Sequence, residues 1–155
     1  MDLTIRAARL SDVSHLVDLY KQLDITPEPE MPAERAQARF LELVSNPLHL
    51  FYVAELDEQI AGTFSMIFVG GISHEARDSC IVEDVVVAPQ RQGGGIGNAM
   101  MRFAMDMCAE RGCYKLVLSS HLTRDKAHCF YENLGFRKHG YSYLIDPCST
   151  PASAA

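Results

Sequence analysis

A run of glycines directly after a valine-rich stretch constrains the fold of this chain more than any other feature. Residues 85–89 have the pattern of a buried strand that ends at a proline, and residues 92–97 lead from there into a helix. Glycines let successive backbone N–H groups converge on one point, because no Cβ atom is in the way. The helix N-terminus adds unpaired donors and partial positive charge, so this segment predicts a site for a phosphate or pyrophosphate.

Three kinds of ligand use such a turn. Dinucleotide-binding folds place GxGxxG near the start of repeated βαβ units, whereas this glycine run follows residue 90 and no such unit comes after it. A phosphate-binding P-loop needs a lysine and a serine or threonine after its last glycine, and neither is present. The pyrophosphate of coenzyme A remains, beside the alternative that the glycines form only an ordinary strand–helix turn.

Composition narrows the class of protein further. The 155 residues are 48% hydrophobic and 22% charged, which is typical of a globular chain, and the net charge of −6 disfavours nucleic acid as a partner. No run approaches the ~20 apolar residues of a membrane span, and the N-terminus has no apolar stretch of signal-peptide length. Five cysteines, an odd number without CxxC spacing, favour reduced thiols. We therefore expect a cytoplasmic protein with no membrane partner.

The remaining periodicities predict an α/β fold with the order β-α-α-β-β-β-α-β-α-β, a mixed, mostly antiparallel sheet flanked by helices. We expect a single domain over residues 1–146 and a disordered tail over 147–155. The strands are predicted at 3–7, 48–56, 59–69, 79–88, 115–120 and 136–145, and the helices at 13–23, 33–44, 96–111 and 125–134.

Two motifs at a characteristic separation resemble one known family. Gln92-x-x-Gly95-x-Gly97 matches the [RQ]xxGx[GA] signature of the GCN5-related N-acetyltransferases, the GNAT family. About 30 residues later, Ala127-His128-x-Phe130-Tyr131-Glu132-x-Leu134-Gly135-Phe136 matches the C-terminal pattern of that family. The predicted order of elements is similar to the family over nearly the whole chain. The small-molecule type, such as the aminoalkylphosphonate N-acetyltransferases, is the most similar.

The resemblance implies how acetyl-coenzyme A, the co-substrate, is held. Backbone amides of residues 92–97 would bind its pyrophosphate, and the strand over 85–87 would pair with its pantetheine arm and polarise the acetyl carbonyl. A splayed gap between this strand and the one at 115–120 would admit the cofactor. The implied cofactor-binding residues are Val85, Val86, Val87, Gln92, Gly93, Gly94, Gly95, Ile96, Gly97, Asn98, Arg124 and Phe130.

Tyr131 and Glu83 are the candidate catalytic residues. The family places a tyrosine at the position of Tyr131, near the cofactor sulfur, and a phenol still holds its proton at neutral pH, so Tyr131 is the candidate acid. Strand alternation puts Ile81, Glu83, Val85 and Val87 on one face, with Asp84 on the other, so Glu83 would face the acceptor as the candidate base. The alternatives are a core aromatic for Tyr131 and simple amine binding for Glu83.

The acceptor and the role of Arg124 stay open. Arg124 replaces the asparagine of many family members, and it could bind a phosphonate or carboxylate, bind the 3′-phosphate of coenzyme A, or be a solvated loop charge. The spacing of the histidines at 74, 121 and 128 matches no metal site, and we expect no metal. Direct acetyl transfer to the primary amine of a small molecule is the leading function. A protein or peptide acceptor, a non-catalytic acyl-coenzyme A binding module and a homodimer stay open.

Overall fold

The computed structural model describes residues 2–23 and 29–145. The chain forms two compact units, a first unit of residues 1–118 and a second unit of residues 119–155. The tail expected at 147–155 lies outside the described residues, and the single domain over 1–146 stays a prediction.

The first unit is built on a five-stranded sheet whose strand order follows the chain. Neighbours β1 to β4 are antiparallel, and β5 adds in parallel to β4 at one edge. This confirms the mixed, mostly antiparallel sheet that the sequence predicts. The strands are β1 (Leu3–Ala7), β2 (His49–Leu56), β3 (Gln59–Val69), β4 (Ser79–Val87) and β5 (Lys115–Val117).

The helices end where the glycine pattern predicts. Gly112, after the long helix, and Gly135, after the last one, have φ of 71° and 94°, left-handed values that suit glycine at a helix C-terminus. The helices are α1 (Val13–Tyr20), α2 (Ala33–Val44), a short turn α3 (Ser73–Ala76), α4 (Ile96–Glu110) and α5 (Asp125–Asn133). Of these, α5 belongs to the second unit.

Helices cover both faces of the sheet. On one face the ring of Tyr52 in β2 lies 4.9 Å from that of Phe103 in α4, and Met100 of α4 is fully buried. Gly62 of β3 allows this close approach, because a Cβ atom there would lie 2.8 Å from the Met100 Sδ. On the other face α1 and α2 pack, with Phe40 of α2 edge-on to Phe51 at 5.6 Å between ring centroids.

Two predicted strands differ from the structure. Residues 136–145 carry an alternating pattern but form no strand among the described residues, because no neighbouring strand is hydrogen-bonded to them. The strand predicted at 115–120 ends at Val117, where its pairing with β4 stops at Ile81. A β-bulge in β4 begins just beyond that point, and bulges bend the strand that contains them away from its neighbours.

Candidate active site

The glycine segment forms an open turn between β4 and α4. After Val87 the chain makes a short 3₁₀ turn over Pro89–Arg91, and then passes through Gly93 and Gly95 with φ of 80° and 84°. These left-handed values explain the glycines, since an L side chain is strained there. A Cβ atom on Gly93 or Gly95 would meet no atom of the described residues within 4 Å, so the backbone of the turn can be approached at these two positions.

Backbone donors accumulate at this turn. Gly95 is the N-cap of α4, and no side chain in the described part of the chain caps the helix. In the described part of the chain, the N–H groups of residues 93–98 have no backbone acceptor, and the first such bond runs from the Ala99 N–H to the Gly95 carbonyl at 3.0 Å. The Gln92 side chain donates to the Val87 carbonyl at 3.0 Å, which ties the turn to the end of β4. The arrangement is a nest of donors suited to an anion.

A β-bulge at Asp84 overturns the predicted faces of β4. Ser65 lies opposite Glu83 and Thr63 lies opposite Val86, so β4 has one more residue than β3 between these pairs. Asp84 takes a left-handed φ of 54°, which absorbs the additional residue. The expectation that Glu83 shares a face with Val85 and Val87 is wrong, because simple alternation fails across a bulge.

The faces follow from the packing partners. Val86 is buried against Leu19 of α1, so it faces the α1 and α2 side of the sheet. Val87 lies opposite Gly62, which faces α4, and cross-strand partners share a face. Glu83, opposite Ser65, therefore lies on the α1 and α2 side. Beyond the bulge, the side chains of Val85, Val86 and Val87 point alternately to the two faces of the sheet. Glu83 and Asp84 are both exposed over part of their surface.

One edge of β4 is open along its second half. Its pairing with β5 covers only residues 79–81, whereas β4 continues to Val87. Among the described residues, no strand pairs with the β5 side of residues 82–87. Strand pairing in the described chain therefore leaves the β5 side of Val85 and Val86 open to an extended ligand.

Asp84 at the bulge lies near both the Glu83 carboxyl group and the buried Tyr20 hydroxyl. Partial burial, and then the negative charge of Asp84, raises the pKa of Glu83 above its usual value. Burial, and then Asp84, raises the pKa of Tyr20 to about 12. The Tyr20 hydroxyl has no hydrogen-bond partner among the described residues. The Thr63 hydroxyl lies near it and acts to lower the Tyr20 pKa, and the Thr63 Oγ1 itself donates to the Tyr52 carbonyl at 2.9 Å.

The second unit holds the other predicted site residues. Tyr131 is half-buried on α5, with its ring 5.0 Å from that of Phe130 and 5.7 Å from that of Phe136. Burial raises the pKa of Tyr131, and the nearby positive charge of Arg124 opposes the shift. The phenol is therefore protonated at neutral pH, as an acid must be.

Two histidines form hydrogen bonds with the segment before α5. The Thr123 backbone N–H donates to the His121 Nδ1 at 3.2 Å, so this nitrogen is an acceptor and the proton lies on Nε2. The His128 Nε2 lies 3.0 Å from the His121 carbonyl, which accepts, so His128 carries its proton on Nε2. Across residues 2–23 and 29–145, no group of three or more potential ligand side chains could hold a metal ion.

The predicted residues therefore divide between the two units. The first unit brings together the glycine turn, the open edge of β4 and Glu83, which all lie on one strand and the turn that follows it. The second unit holds Phe130 and Tyr131, with Arg124 before them. The sequence interpretation placed Asp84 on the opposite face and gave neither Asp84 nor Tyr20 a functional role. The adjacent carboxylates Glu83 and Asp84 can be read from the sequence, but only the bulge places Asp84 near the Tyr20 hydroxyl.

Comparison with known proteins identifies relatives. A model of the acetyltransferase (GNAT) family matches residues 15–136. The chain is 29% identical to the glucosamine 6-phosphate N-acetyltransferase of Trypanosoma brucei brucei over 146 residues, which cover 94% of this chain and 97% of that protein. It is 32% identical to glucosamine 6-phosphate N-acetyltransferase 1 of Oryza sativa subsp. japonica over 140 residues, 85% of this chain and 79% of that one.

A solved structure agrees with these matches. The putative acetyltransferase from Agrobacterium tumefaciens str. C58 superposes with a TM-score of 0.86 at 28% identity, covering 92% of this chain and 99% of that one. No helix among the described residues has the length and apolar character needed to span a membrane.

Proposed function

The chain belongs to the GNAT family of acetyltransferases, and we propose that it moves the acetyl group of acetyl-coenzyme A directly to the primary amine of a small phosphorylated sugar or a similar small molecule. The observation that carries this proposal is the arrangement of three features along β4. They are the carboxylates at the bulge, the open edge of the strand, and the glycine turn at its end. The thioester supplies an activated acetyl group, and the protein supplies the binding and the proton transfers.

The glycine turn fits the pyrophosphate. Its N–H groups at 93–98 lack backbone acceptors in the described part of the chain, and a helix N-terminus favours negative charge. Open space around Gly93 and Gly95 leaves room for a phosphate to approach the backbone. Residues 92–98 would hold the pyrophosphate, with Gln92 holding the turn against β4 through its bond to the Val87 carbonyl.

The open edge of β4 fits the pantetheine arm, which carries two amides. Val85, Val86 and Val87 lie past the last pair with β5, so backbone groups on that edge, apart from the Val87 carbonyl that accepts from Gln92, can hydrogen-bond to an extended chain of amides. A backbone N–H there would also polarise the acetyl carbonyl, the position where negative charge develops during transfer.

Glu83 and Asp84 would receive the amine. An ammonium group must lose a proton before it can attack, and the raised pKa of Glu83 makes its carboxylate a better base than an ordinary one. Asp84 adds a second negative charge beside it, which attracts the cationic amine to the bulge. The buried Tyr20 hydroxyl has no hydrogen-bond partner among the described residues. It would form a hydrogen bond with a polar group of the amine substrate.

Tyr131 would return a proton to the departing thiolate. Its pKa is raised by burial, so the phenol is protonated at neutral pH and can act as a donor. Phe130, whose ring packs against it, would shield the cofactor end from water. Arg124, whose charge reaches Tyr131, would stabilise negative charge near the phenol or bind a phosphate.

Two curated relatives, both glucosamine 6-phosphate N-acetyltransferases, support a phosphorylated amino sugar as acceptor. Free thiols at the cysteines of the described residues are in keeping with a reducing, cytoplasmic compartment. The acceptor is tested by following free thiol release with acetyl-coenzyme A and a panel of amines. The panel contains D-glucosamine 6-phosphate, D-glucosamine, an aminoalkylphosphonate and a peptide with a free N-terminus.

The expected result is a kcat/KM for glucosamine 6-phosphate at least tenfold above that for unphosphorylated glucosamine. Turnover of the peptide alone would instead identify a protein acetyltransferase. Binding of coenzyme A without turnover of any amine would identify a non-catalytic module, and either result would overturn the proposal.

A further inference from the structure

One row of side chains on the sheet is only partly covered on its α1 and α2 side. The strand register aligns His49 of β2 with Ile67 of β3, and Ile67 with Ile81 of β4. The ring of His49 stacks on that of Phe51 at 4.5 Å between centroids, and Phe51 packs against Phe40 of α2. The row therefore faces α1 and α2, yet its three side chains are only half-buried, which leaves them accessible to a ligand.

The β4 end of this row is acidic. Glu83 lies two residues beyond Ile81 and on the same face, because side chains two apart in a regular strand point the same way. Asp84 follows at the bulge, and its charge acts on Glu83 and also, across the sheet, on His49. A cationic group of a substrate is therefore attracted to this end.

The β2 end of the row is basic. Burial lowers the pKa of His49, and the charge of Asp84 opposes this shift whereas that of Arg39 on α2 adds to it. The Arg39 Nη1 pairs with the Glu42 Oε2 at 2.7 Å, but the two side chains are 57% and 68% exposed. Because exposed ion pairs contribute little, a phosphate that takes two parallel hydrogen bonds from the guanidinium can displace Glu42.

The separation of the two ends suits a small substrate that carries both charges. Neighbouring strands lie about 4.8 Å apart, so β2 and β4 are separated by roughly 10 Å. The amine and the phosphate of a hexosamine 6-phosphate lie on opposite sides of one sugar ring, so a single molecule spans this gap together with the side chains at its ends. The apolar C–H face of the sugar would rest on Ile67 and Ile81, between the charges.

We propose that Arg39 and His49 bind the phosphate of the amine acceptor while its ammonium lies at Glu83 and Asp84, so that the two basic residues select phosphorylated amines. The inference rests on the proposed function. It adds the residues that distinguish a phosphorylated sugar from an unphosphorylated one.

The phosphates of coenzyme A are the other source of such an anion. The proposed pyrophosphate site, at residues 92–98, follows the end of β4 at Val87. Ile81, which belongs to the row of His49, lies six residues before Val87, roughly 20 Å along the strand. An anion bound at the glycine turn is therefore too far away to contact His49.

The binding test uses D-glucose 6-phosphate, which carries the phosphate but has a hydroxyl in place of the reactive amine. Its dissociation constant is measured on the full chain by isothermal titration calorimetry. Arg39→Gln should weaken binding by about tenfold or more, because it removes the guanidinium. Arg35→Gln is the matched control and should leave the dissociation constant unchanged. Arg35 is exposed one turn earlier on α2, and it is not among the described charges that shift the pKa of His49.

The imidazole of His49 reports the phosphate directly. An NMR titration of the parent, saturated with D-glucose 6-phosphate, should show that the pKa of His49 rises, because the bound dianion favours the imidazolium. The charges that act on this ring in the described chain, those of Asp84 and Arg39, are present with and without the sugar. A pKa of His49 that does not rise, or equal losses of affinity in Arg39→Gln and Arg35→Gln, would overturn the proposal.

Kinetics separate a failure of this site from a failure of the proposed function. Arg39→Gln should lower kcat/KM for glucosamine 6-phosphate about tenfold more than kcat/KM for glucosamine, through KM, with the coenzyme A dissociation constant unchanged. If glucosamine 6-phosphate is preferred and Arg39→Gln keeps that preference, the proposed function stands and this site is refuted. If the parent acetylates another amine but binds D-glucose 6-phosphate through Arg39, this site stands and the sugar acceptor is refuted.

Two further results would refute the site. One is a parent that does not bind D-glucose 6-phosphate. The other is an Arg39→Gln variant that loses affinity for coenzyme A as much as for the sugar phosphate, since Arg39 would then bind a phosphate of the coenzyme.

Discussion

Glu83 shares a face of the sheet with Val86, three residues further along the same strand. In a regular strand these two residues would lie on opposite faces, so the relationship depends on the additional residue, Asp84, at a left-handed φ of 54°. The bulge puts the candidate base on the side of α1 and α2. Among the described residues, the second half of β4 has no strand neighbour on its β5 side.

The bulge itself can be tested by stability. A β-branched residue is strongly disfavoured at a left-handed φ, whereas glycine is not. Asp84→Val should therefore lower the free energy of unfolding by about 1–2 kcal/mol relative to Asp84→Gly, as measured by urea denaturation. The two variants remove the same carboxylate, so their difference isolates the backbone. Equal stability would mean that residue 84 is not in the left-handed conformation.

The glycine turn is tested most cleanly at Gly94. Gly95→Trp would combine a blocked approach with backbone strain, since Gly95 has a φ of 84°, whereas Gly94 has no such φ. Gly94→Trp should abolish the rise in melting temperature that coenzyme A gives the parent, with little change in the melting temperature of the free protein. Gly71→Trp, at another exposed glycine without a positive φ, is the control and should keep the shift. Retention of the shift in Gly94→Trp would rule out this turn as the pyrophosphate site.

The role of Glu83 predicts a pH dependence with a definite sign. Its pKa is raised by burial and by Asp84, so the carboxylate is lost as the pH falls through a value above that of an ordinary glutamate. The kcat/KM of the parent should fall on that acid limb, and Glu83→Gln should lack the limb. The loss of rate in Glu83→Gln, relative to the parent, should be largest at pH values between the pKa of Glu83 and that of the amine. It should shrink at higher pH, where the amine deprotonates unaided.

Glu110→Gln is the control for this change, since Glu110 is an exposed carboxylate at the end of α4. It should leave the profile of the parent unchanged. A profile of Glu83→Gln that overlays the parent at every pH would remove Glu83 from the role of base.

The variant Tyr20→Phe distinguishes a role of the hydroxyl in substrate binding from a role in stability. The hydroxyl is buried without a partner among the described residues, so Tyr20→Phe should leave the free energy of unfolding unchanged or raise it by up to about 1 kcal/mol. If the hydroxyl contacts the acceptor, the KM for the amine should rise severalfold while the coenzyme A dissociation constant stays the same. A variant destabilised by more than ~1 kcal/mol, with unchanged KM, would show that the hydroxyl has a structural role instead.

Local pattern was enough to predict much of the fold. The order of the first five strands, the long helix α4 and the glycine ends of α4 and α5 follow from periodicity and from glycine conformation, which are properties of short segments. The family resemblance, which depends on motifs at 92–97 and 127–136, agrees with the matching family model.

The features that the sequence did not predict correctly depend on contacts between segments. The strand expected at 136–145 has a suitable pattern, but a strand exists only where a neighbour pairs with it, and periodicity does not report that. The face of Glu83 was mispredicted because Glu83-Asp84-Val85 looks regular in sequence, and only the register against β3 shows the additional residue. The orphan hydroxyl of Tyr20 likewise becomes visible only when α1 packs on the sheet.

Tyr131→Phe tests the central claim, acetyl transfer with protonation of the departing thiolate, most directly. The measurement is kcat for thiol release with a saturating amine, beside the dissociation constant of coenzyme A. Because only a hydroxyl is lost and the ring keeps its packing on Phe130 and Phe136, the affinity for coenzyme A and the melting temperature should not change. The account predicts that kcat falls by ~10²–10⁴. A kcat within a factor of two of the parent, with the chemical step shown to limit the rate, would contradict it.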